Sequence, residues 1–216
     1  MSAPPFTDTS VLQQPLVDIL RRCSPDCVVT DTFHRWAADA VDGVGIPRVI
    51  FNGNCCFARC CEDSVKRDWP HKKVGSDSEP FALEGLPDRI ELTRSQLPVF
   101  VRTRTEFPGK SMRAEQNSFG QVVNSFYELE PAYVEYYRNQ MGKKAWLIGP
   151  RKIVVGRDKV EAAVKKLMGG SEEAEMMTRR AKELAERTTS VVEERGSSWN
   201  DVEALIGELK SCWKQK

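Results

Sequence analysis

The chain has 216 residues, of which 40% are hydrophobic and 29% charged, and its formal net charge is +1. Such a composition fits a soluble globular protein and argues against a mainly disordered one, while the near-neutral balance gives no electrostatic footprint for nucleic acid or an anionic membrane. No stretch approaches the roughly 18 apolar residues of a spanning helix, and Met1 to Asp8 has neither the basic nor the apolar region of an export signal, so a cytoplasmic protein with reduced thiols is expected.

Met1 to Thr9 reads as an N-terminal tail. Val11 to Leu20 then carries Val11, Leu12, Leu16, Val17, Ile19 and Leu20 at helical spacing, and Ser24-Pro25-Asp26 breaks the helix. Cys27 to Thr30 is a short apolar run of the kind that forms a strand buried on both faces of a parallel sheet. Thr32 to Val44 follows with Phe33, Trp36, Ala37, Ala40 and Val44 at helical spacing, and Gly43 or Gly45 supplies a left-handed exit. Arg48 to Phe51 is the next strand, completing a βαβ unit. This places Asp31 at the carboxyl end of a strand, where ligands sit in open α/β sheets.

Cys55-Cys56 and Cys60-Cys61 are among seven cysteines, and four thiolates can close a zinc site. Neighbouring side chains diverge, however, so these are read as small buried residues of a turn and helix, and no metal site is predicted. Residues 62–85 read as a surface loop, with His71 solvated. Leu86 to Leu92 is a short extended element and Gln121 to Phe126 another strand, feeding a helix from Glu130 with Pro131 in its first turn. Ala145 to Ile148 is a further strand, ended by Gly149-Pro150. Beyond it only helices are expected. One has the stripe Val160, Ala163, Val164 and Leu167 before Gly169-Gly170, and a second carries Ala174, Met177, Ala181, Leu184 and Ala185. A third opens at Ser198-Trp199-Asn200-Asp201, which resembles a capping box, with Val202, Leu205, Ile206 and Leu209 inside.

The stretch Pro25 to Ala37 resembles the plant UDP-dependent glycosyltransferases of small molecules. So do Gly45 to Phe51, Leu86-Pro87-Asp88 with Thr93 to Pro98, Val123 to Pro131, Trp146 to Pro150 and the carboxyl-terminal segments Val155 to Val164, Arg180 to Ala185 and Gly196 to Ser198. The resemblance implies an α/β fold, an incomplete GT-B arrangement. A Rossmann-like acceptor domain with a parallel sheet would span residues 10–150, and residues 151–216 would be C-terminal helices left from the donor domain. It implies transfer of a sugar, glucose above all, from UDP-sugar to a hydroxyl of a lipophilic metabolite such as a flavonoid, terpenoid or hormone. UDP-sugar is a co-substrate there, and no cofactor is implied.

By the same resemblance Asp31 is the acid partner of a catalytic histidine, which the family carries on a first strand and which Met1 to Thr9 does not contain. Phe33 and Trp36 would border the acceptor, the alternative being aromatic residues of the core, and Asn54, in the turn after the second strand, would lie near the sugar donor, where the family often has threonine or serine instead. His34 lies within one helical turn of Asp31 and is read as an exposed or helix-capping histidine, a replacement base being the alternative. The alternative for Asp31 is a helix cap. The family's Trp-x-Pro-Gln and Thr-His-Cys-Gly-Trp-Asn patterns are missing after Pro150. The expectation is therefore a chain with little or no transferase activity. The alternatives are a non-catalytic acceptor-binding protein, one that pairs with a full-length relative, or a mis-spliced gene product.

Overall fold

A computed structural model describes residues 9–102, 115, 117–149 and 172–213; the expected tail over Met1 to Asp8 and the helix around Val160 to Leu167 lie outside them. Strands β1 (Val28–Thr30), β2 (Arg48–Asn52), β5 (Gly120–Val123) and β6 (Ala145–Leu147) form a four-stranded sheet in the order β1-β2-β5-β6. Every pairing in it is parallel, with Val29 opposite Val49, Phe51 opposite Val122 and Val122 opposite Trp146. Strands β3 (Pro80–Leu83) and β4 (Ile90–Thr93) make a separate antiparallel pair.

The first helix, α1 (Gln13–Cys23), is preceded by a 3-10 turn over Ser10–Leu12 and stops where Ser24 turns left-handed at φ 44°. Of its expected apolar face only Leu20 is buried, whereas Val11 is 79% exposed. The strand β1 departs from expectation in the same way. Val29 is 59% exposed, because β1 is an edge strand, not one covered on both faces. Helix α2 (Arg35–Asp42) starts later than Thr32, since the Asp31 carboxylate draws the intervening N–H groups into a turn. Gly45, at φ 70°, provides the left-handed exit that a side chain would resist.

Residues 62–85 are not a surface loop. Helix α3 (Cys56–Asp68) runs through their first part, a 3-10 turn covers Pro70–Lys72, and β3 ends the segment. The helix hides in the sequence because only Val65 of its second half joins a buried apolar cluster, with Phe81, Leu83, Leu97 and Val101. Its other positions pair along the surface, Lys66 with Glu62 at 2.6 Å and Arg67 with Asp63 at 3.7 Å. His71 is fully buried instead of solvated, its ring stacked on Trp69 at 5.7 Å. Arg94, in the 3-10 turn Arg94–Gln96 after β4, holds this segment in place. Its Nε donates to the His71 carbonyl at 2.9 Å, one Nη reaches Asp77 at 3.1 Å and the other donates to the Val74 carbonyl. A short helix α4 (Val99–Arg102) follows.

Helix α5 (Pro131–Glu135) begins with proline at its first turn, as expected, and continues as one π-helical turn over Tyr136–Gln140. Tyr133, Val134 and Tyr137 pack there against Cys56, Cys60, Val123 and Leu147, forming the core on one face of the sheet. Helices α6 (Glu172–Ser190) and α7 (Ser197–Trp213) complete the described chain. None of the described helices is long and apolar enough to cross a membrane.

Helix α7 returns to β6 and the opposite face. Leu205 packs on Val49, Val122 and Trp146, while Leu209 is buried. Val202 and Ile206, expected inside, are 38% and 40% exposed, because α7 touches the sheet along a narrow line. Asp201 does not close a capping box. Its carboxylate accepts the Leu147 N–H at 2.6 Å and an Arg138 Nη at 2.7 Å, and Ser198 donates its hydroxyl to the Gly149 carbonyl. Gly149 has to be glycine at this junction, since a Cβ would lie 2.8 Å from the Ser125 carbonyl oxygen.

Two stability measurements probe this packing. Asp201→Ala leaves Arg138 and the Leu147 N–H without their acceptor, and should lower the urea-unfolding free energy by about 2 kcal/mol. Burial, helped by Lys72 and Arg94, holds the His71 imidazole below its ordinary pKa, so the unfolded chain takes up the proton first. Stability should therefore be unaffected above about pH 6.5 and fall as pH drops below it, with His71→Phe flattening that dependence.

Candidate functional site

All four sheet strands run the same way, so the residues leaving their carboxyl ends share one edge of the sheet. Asp31 leaves β1, the Gly53-Asn54 turn leaves β2 and Asn124-Ser125 leaves β5. Asp31 is the most elaborated of these. Its Oδ1 accepts the backbone N–H groups of Phe33 at 2.8 Å and His34 at 2.9 Å. The His34 ring joins them, Nδ1 lying 2.8 Å from Oδ2 and 3.1 Å from Oδ1. Partial burial pushes the Asp31 carboxyl up, yet the His34 and Phe33 N–H donors and the imidazole together hold it below the ordinary carboxylate value. The residue thus orders the turn before α2 and carries an imidazole at once.

The two aromatic residues part company. Phe33 precedes α2 and is 69% exposed, whereas Trp36 is half-buried in the helix's first turn. The Trp36 indole N–H donates to the Thr9 hydroxyl at 2.9 Å, and its ring meets His34 edge-on with centroids 6.0 Å apart. Asn54 is exposed in the turn after β2.

The decisive residue on this edge is one that sequence reasoning passed over. The Glu130 carboxylate reaches across to the start of α3, accepting the N–H of Cys56 at 2.8 Å and of Phe57 at 2.7 Å. The Ser125 hydroxyl donates to the same carboxylate. A helix N-terminus beside the carboxyl end of a parallel strand is a ready anion site, but here the anion is the protein's own. The signal was present as Ser125 and Glu130 inside the Val123 to Pro131 stretch, although neighbours in sequence do not reveal a partner more than 70 residues away.

The cysteines beside Glu130 are poor nucleophiles. Burial pushes the Cys56 thiol well up and Cys60 to about 12, while Cys61 rises to about 11, so thiolate is scarce near neutral pH. Among the described residues, no group of three or more histidine, cysteine or acidic side chains could hold a metal ion.

No protein-family model matches the chain. It is 46% identical over 153 residues to an abscisate beta-glucosyltransferase from Phaseolus angularis, covering 69% of this chain and 32% of that protein. The crystal structure of UGT73P12 from Glycyrrhiza uralensis, complexed with glycyrrhetinic acid 3-O-monoglucuronide, matches at 39% identity with a TM-score of 0.59. The chain belongs to the plant UDP-glycosyltransferase family. A UDP-glucose flavonoid 3-O-glucosyltransferase from Fragaria ananassa is likewise 46% identical over 149 residues, 67% of this chain and 30% of that enzyme. The chain thus spans about a third of the length of the curated relatives it matches, and 30% of the solved Glycyrrhiza chain. Its sheet and helices correspond to part of a GT-B fold.

The Glu130 bridge has a direct test. Glu130→Ala removes the acceptor for two backbone donors at once and should cost about 1–2 kcal/mol in urea unfolding. Amide exchange at Cys56 and Phe57 should rise while Ile50, in β2, stays protected.

Proposed function

We propose that this chain is the acceptor-side part of a plant small-molecule UDP-glycosyltransferase and that, by itself, it transfers sugar slowly or not at all. The observation that carries this reading is the Glu130 carboxylate seated on the N-terminus of α3. It fills an anion position at the carboxyl edge of the sheet, so the edge suits a neutral, lipophilic hydroxyl compound better than a diphosphate. Asp31 is the acid beside the acceptor hydroxyl, and the exposed ring of Phe33 and the half-buried Trp36 border its apolar body. Asn54 is the residue assigned to the donor, by hydrogen bonding to sugar hydroxyls instead of phosphate.

Residues 10–150 make up the acceptor domain in this reading, and residues 151–216 are helices belonging to the donor side. UDP-sugar is a co-substrate, no cofactor takes part, and the chain works in the cytosol. The weak activity follows from the missing Trp-x-Pro-Gln and Thr-His-Cys-Gly-Trp-Asn patterns, since each lost donor to a departing oxyanion costs about 3 kcal/mol of barrier. The protein incubated with UDP-glucose and a panel of flavonoid, coumarin and terpenoid alcohols should give no glucoside above background by mass spectrometry. Calorimetry should nevertheless detect acceptor binding and no UDP binding; robust turnover would defeat the reading.

A second reading, association with an intact relative, is favoured by the edge strand β1 with Val29 59% exposed. A single monomeric peak in size-exclusion chromatography, unchanged when an intact relative is added, would remove it.

A further inference from the structure

Residues 70–102 are clasped to themselves. Strands β3 and β4 pair with each other and with no strand of the parallel sheet. The turn ahead of them is tied to the segment behind them. Lys72 Nζ donates to the Arg102 carbonyl at 2.9 Å, Arg94 Nε to the His71 carbonyl at 2.9 Å and the Ser95 N–H to the Asp77 carbonyl at 3.0 Å. Phe81, Leu83, Leu97 and Val101 gather around Val65 of α3, in a cluster distinct from the two on the parallel sheet. Towards the rest of the chain the segment offers Leu86, which touches the core under α5, and the Glu84 carbonyl, which accepts from Ser64 at 3.3 Å and Arg67 at 3.1 Å. A segment with its own apolar cluster is the kind of unit that opens without the rest of the fold.

His71 sits inside this unit in a position that suits only its neutral form. It is 0% exposed, and neither ring nitrogen has a hydrogen-bond partner among the described residues. A neutral imidazole leaves one donor and one acceptor unmet there, whereas an imidazolium would bury a charge with two unmet donors. The charged groups around the ring oppose a proton further. Its own turn supplies Lys72 and the turn after β4 supplies Arg94, both positive, while β3, packed on the His71 turn, has no charged residue over Pro80–Leu83. Asp77 is taken up by Arg94 at 3.1 Å and is itself 63% exposed. The ring is not free to turn out alone, because Arg94 holds the His71 carbonyl and the ring face lies on Trp69. Trp69 is left-handed at φ 49°, a conformation that a bulky side chain resists, so the entry to the segment stores strain that opening relieves.

We propose that residues 70–102 form an acid-released flap: a proton on His71 opens the segment as a unit, freeing the ring to water and baring Val65 on α3, while the parallel sheet keeps its fold. Burial together with Lys72 and Arg94 holds the closed ring below its ordinary pKa. The open ring has the ordinary value of about 6.5, so closure is strongest above that pH and weakens as pH falls below it. One pH unit further down, the open-to-closed ratio is about tenfold higher. The device does not depend on the transferase reading above.

Native-state amide exchange on the full chain at pH 7.5 and 5.5, corrected for intrinsic rates, tests it. Amides of β3 and β4 should open more readily than those of β2 and β5 at both pH values, and their opening equilibrium should rise about tenfold at the lower one. His71→Phe fills the position with a ring that takes no proton, and His71→Gln with a neutral amide; either should remove the rise. The unmutated His71 ring gives a measurement that needs no variant of it, its NMR signals being told from those of His34 by His34→Gln. Half-protonation should come below about pH 6.5 while β3 and β4 are still protected at that pH. Four strands that share one opening equilibrium overturn the proposal, as does a flap whose opening ignores pH. An equal rise in His71→Phe, or a His71 ring that titrates at or above its ordinary value, overturns it as well.

Discussion

A parallel sheet has to be covered on both faces, because its strands are apolar on both and its crossovers bring helices to each side. Most of this molecule follows from that constraint. On one face α3 and α5 bury Cys56, Cys60, Tyr133, Val134 and Tyr137 against Val123 and Leu147. On the other, Leu205 of α7 meets Val49, Val122 and Trp146. The Asp201 carboxylate fastens that helix to the backbone of β6 and to Arg138, so a surface charge becomes the clamp between the last helix and the sheet. Where α7 does not reach, the face stays open. Val29 is in register with Val49 and shares its face, yet it is exposed while Val49 is fully buried.

The same economy shapes the carboxyl edge. Glu130 is needed because α3 begins with free N–H groups and the preceding turn lacks a side chain to cap them. Filling that position with a carboxylate stabilises the helix and, in the same act, removes an anion site from the edge. The proposed acceptor role for a UDP-glycosyltransferase chain of this length rests on that exchange.

Asp31 illustrates how one side chain serves a local and a chemical purpose together. Its oxygens close the turn that delays α2 to Arg35, and the geometry of that turn brings His34 back over the carboxylate. The cap and the contact with the imidazole are therefore one arrangement, since the turn that the carboxylate closes also places the ring.

The four sheet strands and the helices α1, α2, α5, α6 and α7 were legible in the amino-acid order, as was Asp31 at a strand's carboxyl end. Periodicity and turn residues report such elements, because the pattern and the cause lie in the same few positions. The second half of α3 and β3 were not legible, since one buried valine among paired charges leaves no apolar period. His71 looked solvated for a related reason: its ring stacks on Trp69 inside a segment that Arg94 ties down from more than 20 residues away, and no apolar period marks that arrangement. The sequence by itself thus determined the lineage, the parallel sheet and the place of Asp31 at a strand's carboxyl end. Only the tertiary structure decided that Glu130 closes the α3 terminus, that Asp201 clamps α7 and that His34 sits on Asp31. The first two join positions more than 50 residues apart, and the third depends on a turn that side-chain periodicity does not encode.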